Sequence, residues 1–429
     1  MYIVISKPKR MSLADGFSHF IQFLLSVYPA TCGSKYPQRI CWYAIQCPLF
    51  GAFLTSEKHG LNLMIFMNLE PAVRLEVCTA PHIDRNGASM ETMKESPPPD
   101  ALYAPLEPYD AGWLDVGDGH RIYYEQCGRP DGFPVVFLHG GPGSGCSPRH
   151  RQLFDPQRCR VILLDQRGCG RSVPRGALHG NTSDKLVADI EHLRLHLGIE
   201  RWLVAGGSWG AGLALAYAAA HPACCLGLVL RAVFLGRVSD LDWFFQQARQ
   251  LLPDAWEALA QQAPLAARGN LLRWLSAGLQ GNQLQEALAR AKAWAAWEAA
   301  LSQSQCVAPG PELAAGAAAA AMVDKYRVQS HYLMNGCFWG DVGLLERARS
   351  LASVPTAILH GRLDWICRPQ AAWELHASLP GSRLQWVDGC GHSLFEPAMA
   401  RALTQAVLHH ATHGDFTTWG QHSSGAPAA

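Results

Sequence analysis

From Gly112 onward the apolar and polar positions alternate between two kinds of stretch: short runs rich in Val, Ile, Leu and Tyr, and longer alanine- and leucine-rich segments. Gly112-Trp113-Leu114-Asp115-Val116 and Arg121-Ile122-Tyr123-Tyr124-Glu125 flank Gly117-Asp118-Gly119-His120, which predicts a β-hairpin. Continuous apolar runs over Pro134–Leu138, Val161–Asp165, Trp202–Ala205, Leu226–Leu230, Thr356–His360 and Leu384–Asp388 predict buried strands, with a helix over Asp184–Leu197 between two of them. Strands without polar alternation are covered on both faces, so the pattern predicts an α/β fold with a mostly parallel sheet and helices on either side. Between Leu235 and Ser350 the strand signal disappears and Ala, Leu, Gln and Trp dominate, as in Leu284–Ala300 and the alanine run Ala314–Ala321. This predicts an all-helical cap inserted over the C-terminal edge of the sheet. The alanine run is expected to pack closely on a neighbouring helix and to have no chemical role.

Residues 1–95 do not share this pattern. Basic residues near Lys7–Arg10 precede an apolar patch, Phe17–Tyr28, that is too short and too interrupted to span a bilayer. A secretory signal is disfavoured because the patch lies late, contains His19 and Gln22, and lacks a small-residue cleavage site. The favoured expectation is translation from Met90 or Met93, with a poorly ordered or loosely packed extension that comes from an over-long gene model. Ser96-Pro97-Pro98-Pro99 marks the boundary. The division expected is an extension (1–95), a first core segment (96–234), the cap (235–350), a second core segment (351–415) and a tail (416–429).

Composition narrows the function. Hydrophobic residues are 49% and charged residues 17% of the 429, with a formal net charge of +1 and no basic stripe, so neither nucleic acid nor an anionic membrane is an expected partner. The 14 cysteines are scattered without a Cys-x-x-Cys pair, which fits free thiols in a reducing, cytoplasmic setting better than a disulfide framework. The 18 histidines show no zinc-site spacing, so no metal and no cofactor is expected. Assembly into a homo-oligomer is left open.

The candidate chemistry centres on Gly206-Gly207-Ser208-Trp209-Gly210, where an apolar strand meets an alanine-rich helix. A serine at such a sharp turn is exposed as a nucleophile, and its neighbours lack side chains because strand and helix approach closely there. The nucleophile needs a base and the base an orienting acid, in the chain order serine, acid, histidine. Asp364 and His392 each follow a predicted strand, at the edge where Ser208 is presented. Asp388 is a rival acid, ranked lower because it ends its own strand close to His392. The plain alternatives are a turn aspartate and a loop histidine. An oxyanion hole would take one backbone N–H from Trp209 and a second from the glycine loop after Leu138, at Gly141. A phosphate-binding role for that loop is disfavoured, since neither Gly-Lys-Ser/Thr nor Gly-x-Gly-x-x-Gly is present.

Together, His139-Gly140-Gly141-Pro142-Gly143, Asp165-Gln166-Arg167-Gly168-Cys169-Gly170-Arg171-Ser172 and Gly206-Gly207-Ser208-Trp209-Gly210 resemble the proline iminopeptidases of the α/β-hydrolase superfamily. Glu107-Pro108-Tyr109-Asp110, Tyr123–Gly128, Trp294-x-x-Trp297-Glu298 and Gly391-His392-Ser393 add to the likeness, which spans roughly Tyr103–His410. The resemblance implies an α/β-hydrolase fold and release of N-terminal proline from peptides through an acyl-enzyme, without a metal. It assigns Ser208 as nucleophile, His392 as base and Asp364 as its orienter. It also implies that Glu298 on the cap holds the substrate's charged amine, and that Phe234, Phe244 and Cys367 line the proline pocket. A solvated helix face is the plain alternative for Glu298. The chain departs from the family where a second acid and an aromatic wall are usual, reading Gln329 and Leu333 instead. Two alternatives therefore stand beside the first expectation: a serine esterase or amidase on another small substrate, and a ligand-binding receptor with little turnover. A dehalogenase or epoxide hydrolase is disfavoured, since these carry aspartate at the Ser208 position.

Overall fold

The computed structural model describes residues 43–46, 52–56, 61–65, 102–302 and 315–420. The chain divides into two units, Met1–Met93 and Lys94–Ala429. In the first, β1 (Tyr43–Gln46), β2 (Ala52–Ser56) and β3 (Leu61–Ile65) form an antiparallel sheet in the order β1-β2-β3. The sequence pattern did not suggest these strands. The expected disorder of the extension otherwise concerns residues outside those described.

In the second unit β4 (Asp110–Asp115), β5 (Arg121–Gly128), β6 (Phe133–Leu138), β7 (Cys159–Asp165), β8 (Trp202–Gly207), β9 (Cys225–Arg231), β10 (Thr356–Gly361) and β11 (Arg383–Val387) form one sheet. Its order is β11-β10-β9-β8-β6-β7-β5-β4, antiparallel only where β5 meets β4 and β7. Side chains alternate between the faces. Val136, Leu138, Ile162, Leu164, Val204, Leu228 and Ile358 join one buried cluster, with the helices Ser183–His196 and Trp209–Ala220. Val135, Phe137, Val161, Leu163, Leu203, Val229 and Leu359 join the other, with helix Pro397–His413. Both faces are dry, which is why the strands read as unbroken apolar runs.

The chain leaves β6 toward β7 and returns on the opposite side as β8, which opens a crevice at the carboxyl ends of β6 and β8. Above it lie the inserted helices Val238–Phe245, Pro253–Ala260, Leu271–Gln280, Leu284–Ser302, Ala315–Met334 and Leu344–Ala348. Trp294 and Trp297 are buried at the heart of this cap. The alanine run corrects an expectation. Ala317 and Ala320 are exposed and Ala318, Ala319 and Ala321 half-buried, so these residues supply helix propensity while tight burial starts at Val323. Phe416 and Trp419, which follow helix Pro397–His413, are buried against that helix's side of the sheet. Among the described residues no helix is long and apolar enough to cross a membrane.

Candidate active site

The turn from β8 into helix Trp209–Ala220 places Ser208 at φ 58°, ψ −124°, a left-handed conformation that costs a non-glycine residue on the order of 1–3 kcal/mol. Its neighbours permit this. A Cβ on Gly210 would lie 2.0 Å from the Leu138 carbonyl oxygen, and one on Gly206 would lie 2.3 Å from that of Gly210. The Ser208 N–H donates to the Arg231 carbonyl at 2.9 Å, tying the turn to the end of β9.

His392 and Asp364 meet beside it. Nδ1 of His392 lies 2.8 and 3.0 Å from the two Asp364 carboxylate oxygens. The Ile366 and Cys367 N–H groups donate to Oδ1 at 3.0 and 2.9 Å. Burial opposes the Asp364 charge, yet adjacent His392, His360 and the Cys367 N–H together hold the carboxyl below its usual value. Asp388, the rival acid, has a side chain 91% exposed and faces Arg362 at 3.6 Å. Ser208 and His392 line one cavity of about 330 Å³. Ser208 Oγ has Cys367 Sγ as its partner at 3.8 Å, and no Ser208–His392 hydrogen bond is formed. Catalytic hydrogen bonds are often long without substrate and tighten in the Michaelis complex.

Arg231 was not foreseen. It ends β9, is 6% exposed, and donates from Nη1 to the His392 carbonyl at 2.8 Å, while its Nε has no partner among the described residues. Burial lowers its pKa. A charge closing an apolar run at the edge that presents Ser208 is the signal that could have found it.

The loop after β6 lies against Ser208. A Cβ on Gly140 would sit 3.2 Å from the Gly207 carbonyl and 3.5 Å from the Ser208 Cβ. His139 accepts the Gln166 N–H at Nε2 (3.0 Å), and Gln166 spans to the Trp209 indole N–H (2.8 Å). Burial lowers the His139 pKa, in keeping with a neutral ring. The Trp209 ring stacks on Trp339 of the cap, centroids 5.0 Å apart. Gly141 lines the cavity. Among the described residues no hydrogen bond occupies the N–H of Gly141 or Trp209.

Phe234, Phe244, Leu333 and Cys367 give the cavity its apolar walls, and Glu298 and Gln329 line it from two cap helices. Glu298 accepts from the Tyr326 hydroxyl (2.7 Å) and Gln329 Nε2 (2.6 Å), with Lys325 Nζ at 3.3 Å. Gln329 is 6% exposed, and its Oε1 has no partner among the described residues. Glu298 is thus not a solvated helix residue. Sequence reasoning missed Lys325 and Tyr326, although Lys325 and Gln329 share a helix face by their i, i+4 spacing.

The profile of the alpha/beta hydrolase fold matches residues 134–398. Over 311 residues the chain is 46% identical to a proline iminopeptidase of Xanthomonas citri, covering 71% of this chain and 98% of that protein. It is 43% identical over 313 residues to one of Arabidopsis thaliana, covering 71% and 80%. The crystal structure of VinJ matches with a TM-score of 0.52 at 22% identity, over 71% of this chain and 99% of the other, a likeness of fold alone.

Proposed function

The chain belongs to the proline iminopeptidase family of α/β-hydrolases, and from that premise we propose that Ser208, His392 and Asp364 are its catalytic triad, releasing N-terminal proline from peptides. It is a serine hydrolase by that membership. In the proposed mechanism Ser208 Oγ attacks the carbonyl carbon of the terminal proline as its proton passes to His392 Nε2. Asp364 holds the imidazole by Nδ1 and stabilises the imidazolium that forms. The carbonyl oxygen, now charged, takes N–H bonds from Gly141 and Trp209, each donor contributing about 3 kcal/mol in the transition state. His392 then returns the proton to the departing amine, leaving a prolyl ester on Ser208. Water, deprotonated by the same imidazole, attacks the ester carbonyl and frees proline.

The observation that carries this reading is a single cavity lined by Ser208 and His392, by the hydrogen-bonded pair Glu298–Gln329, and by apolar walls. A prolyl terminus is a cationic amine attached to an apolar ring, and that is the chemistry these walls offer. Phe234, Phe244 and Cys367 would take the ring, and Glu298 and Gln329 the nitrogen. The nine described cysteines are free, which supports a cytoplasmic enzyme acting on small peptides. The test is Glu298→Gln, assayed on a proline arylamide and on a neutral ester. The arylamide should lose at least about 30-fold in kcat/KM, the scale of a charge-assisted bond, and the ester less than about threefold. Equal losses on both would remove Glu298 as the amine ligand.

A second reading, an esterase or amidase for another small substrate, is favoured by Gln329 and Leu333 at the cavity wall. Fluorophosphonate labelling of Ser208 without preference for proline over alanine arylamides would support it. Failure to label would remove both enzymatic readings.

A further inference from the structure

We propose that Lys325 sets the affinity of the amine subsite: its ammonium occupies Glu298 as an internal cation that the substrate's terminus must displace. The inference rests on Glu298 being the amine ligand. Lys325 Nζ lies 3.3 Å from Glu298 Oε2, the oxygen that also accepts from Tyr326, while Oε1 accepts from Gln329. A carboxylate offers about four lone-pair sites. Three donors are therefore in place before substrate arrives, and one of them carries the same charge as the substrate. The single carboxylate is balanced by Lys325, so an incoming prolyl ammonium makes two cations on one anion.

Two features let the exchange occur. The Lys325 side chain is 32% exposed, so its ammonium can swing toward water. Its backbone is held: a Cβ on Gly143 of the oxyanion loop would lie 2.3 Å from the Lys325 carbonyl oxygen, so the helix stays against that loop while the side chain moves. The acceptors then exposed suit a secondary ammonium. Its two N–H groups match one vacated Glu298 lone pair and the unpartnered, buried Gln329 Oε1. Displacing Lys325 thus lowers affinity for every cationic terminus.

The experiment uses the full chain with Lys325→Met, Lys325→Arg and Glu298→Gln on two substrates: proline 4-nitroanilide, and the 4-nitrophenyl ester of cyclopentanecarboxylic acid, which keeps the ring and lacks the nitrogen. Lys325→Met should lower KM for the nitroanilide about fivefold or more, leave kcat within about twofold, and leave the ester KM unchanged, as expected when a competing like charge is removed. Lys325→Arg keeps the charge and should stay near the parent. An unchanged or raised nitroanilide KM in Lys325→Met, or equal behaviour of the Met and Arg variants, overturns the proposal. If Glu298→Gln also leaves the nitroanilide-to-ester ratio unchanged, the amine subsite itself fails; if it collapses that ratio while Lys325→Met does nothing, only the role of Lys325 fails.

Discussion

Arg231 shows what single residues do here beyond the proposed triad. Its guanidinium donates to the His392 carbonyl, and its own carbonyl receives the Ser208 N–H, so one residue spans the proposed nucleophile and the proposed base. Arg231→Gln removes the guanidinium that tethers the His392 backbone, and should lower kcat about 10- to 100-fold through lost positioning, with KM nearly constant. Steady-state kinetics settle it: an unchanged kcat would reduce Arg231 to a space-filling role. Ser208, Asp364 and His392 were legible because each sits where a strand ends at the same edge of the sheet, whereas Arg231 and Lys325 were not. A charge closing an apolar run, or one lysine on a helix, is common in any sequence, and only the neighbours brought by folding give it meaning.

At the scale of elements, the strands were legible because burial on both faces writes each as an apolar run bounded by glycine or polar residues. Cap helices were legible as helices, but not by what they would touch. Helix propensity is local, whereas the pairing of Glu298 with Lys325 and Gln329 joins two helices at the cavity wall, and the alanine run carried propensity with only partial burial. The β8–helix turn is where local sequence and tertiary contact coincide. Gly210 faces the Leu138 and His139 carbonyl oxygens, 2.0 and 2.9 Å from where a Cβ would stand, and both atoms are backbone that cannot rotate aside. Gly210→Ala should thus force the turn away from β6, at a cost of about 3 kcal/mol or more from overpacking. Denaturant unfolding should show a lower midpoint with an unchanged slope, and fluorophosphonate labelling of Ser208 should fall in parallel. A variant of parent stability that labels normally would mean the close approach is not required.

At the scale of the molecule, the motif Asp165–Ser172 proves to be scaffold. Glu125, 0% exposed, accepts from Arg151 and Arg171, and Asp165 takes Arg171 at 2.7 Å. Arg167 reaches Asp189 (2.6 Å), Asp118 (2.8 Å) and the Val116 carbonyl, joining the β4–β5 turn to helix Ser183–His196. Such a network contributes little net stability over an apolar core, but leaving one member unpaired is costly. Its signature lies in acid. Hydrogen bonds from Lys185 and Arg167 hold Asp118 at about 2, below the ordinary 3.8. Burial pushes Glu125 up, but Arg151 and Arg171 bring it net below its usual value. A carboxyl with a depressed folded pKa stabilises fully above its unfolded value, and that contribution disappears as pH falls through the folded one. Asp189 runs the other way, raised by burial against Arg167, so protonating it eases the folded state rather than straining it. The urea midpoint of the parent should therefore fall between pH 4 and 2 as Asp118 takes up its proton, the window set by 3.8 and about 2. Asp118→Asn should start lower at neutral pH, decline less across that window, and meet the parent near its lower end. Curves that stay parallel down to pH 2 would show that the Asp118 bridge, for all its short contacts, does not couple folding to its charge.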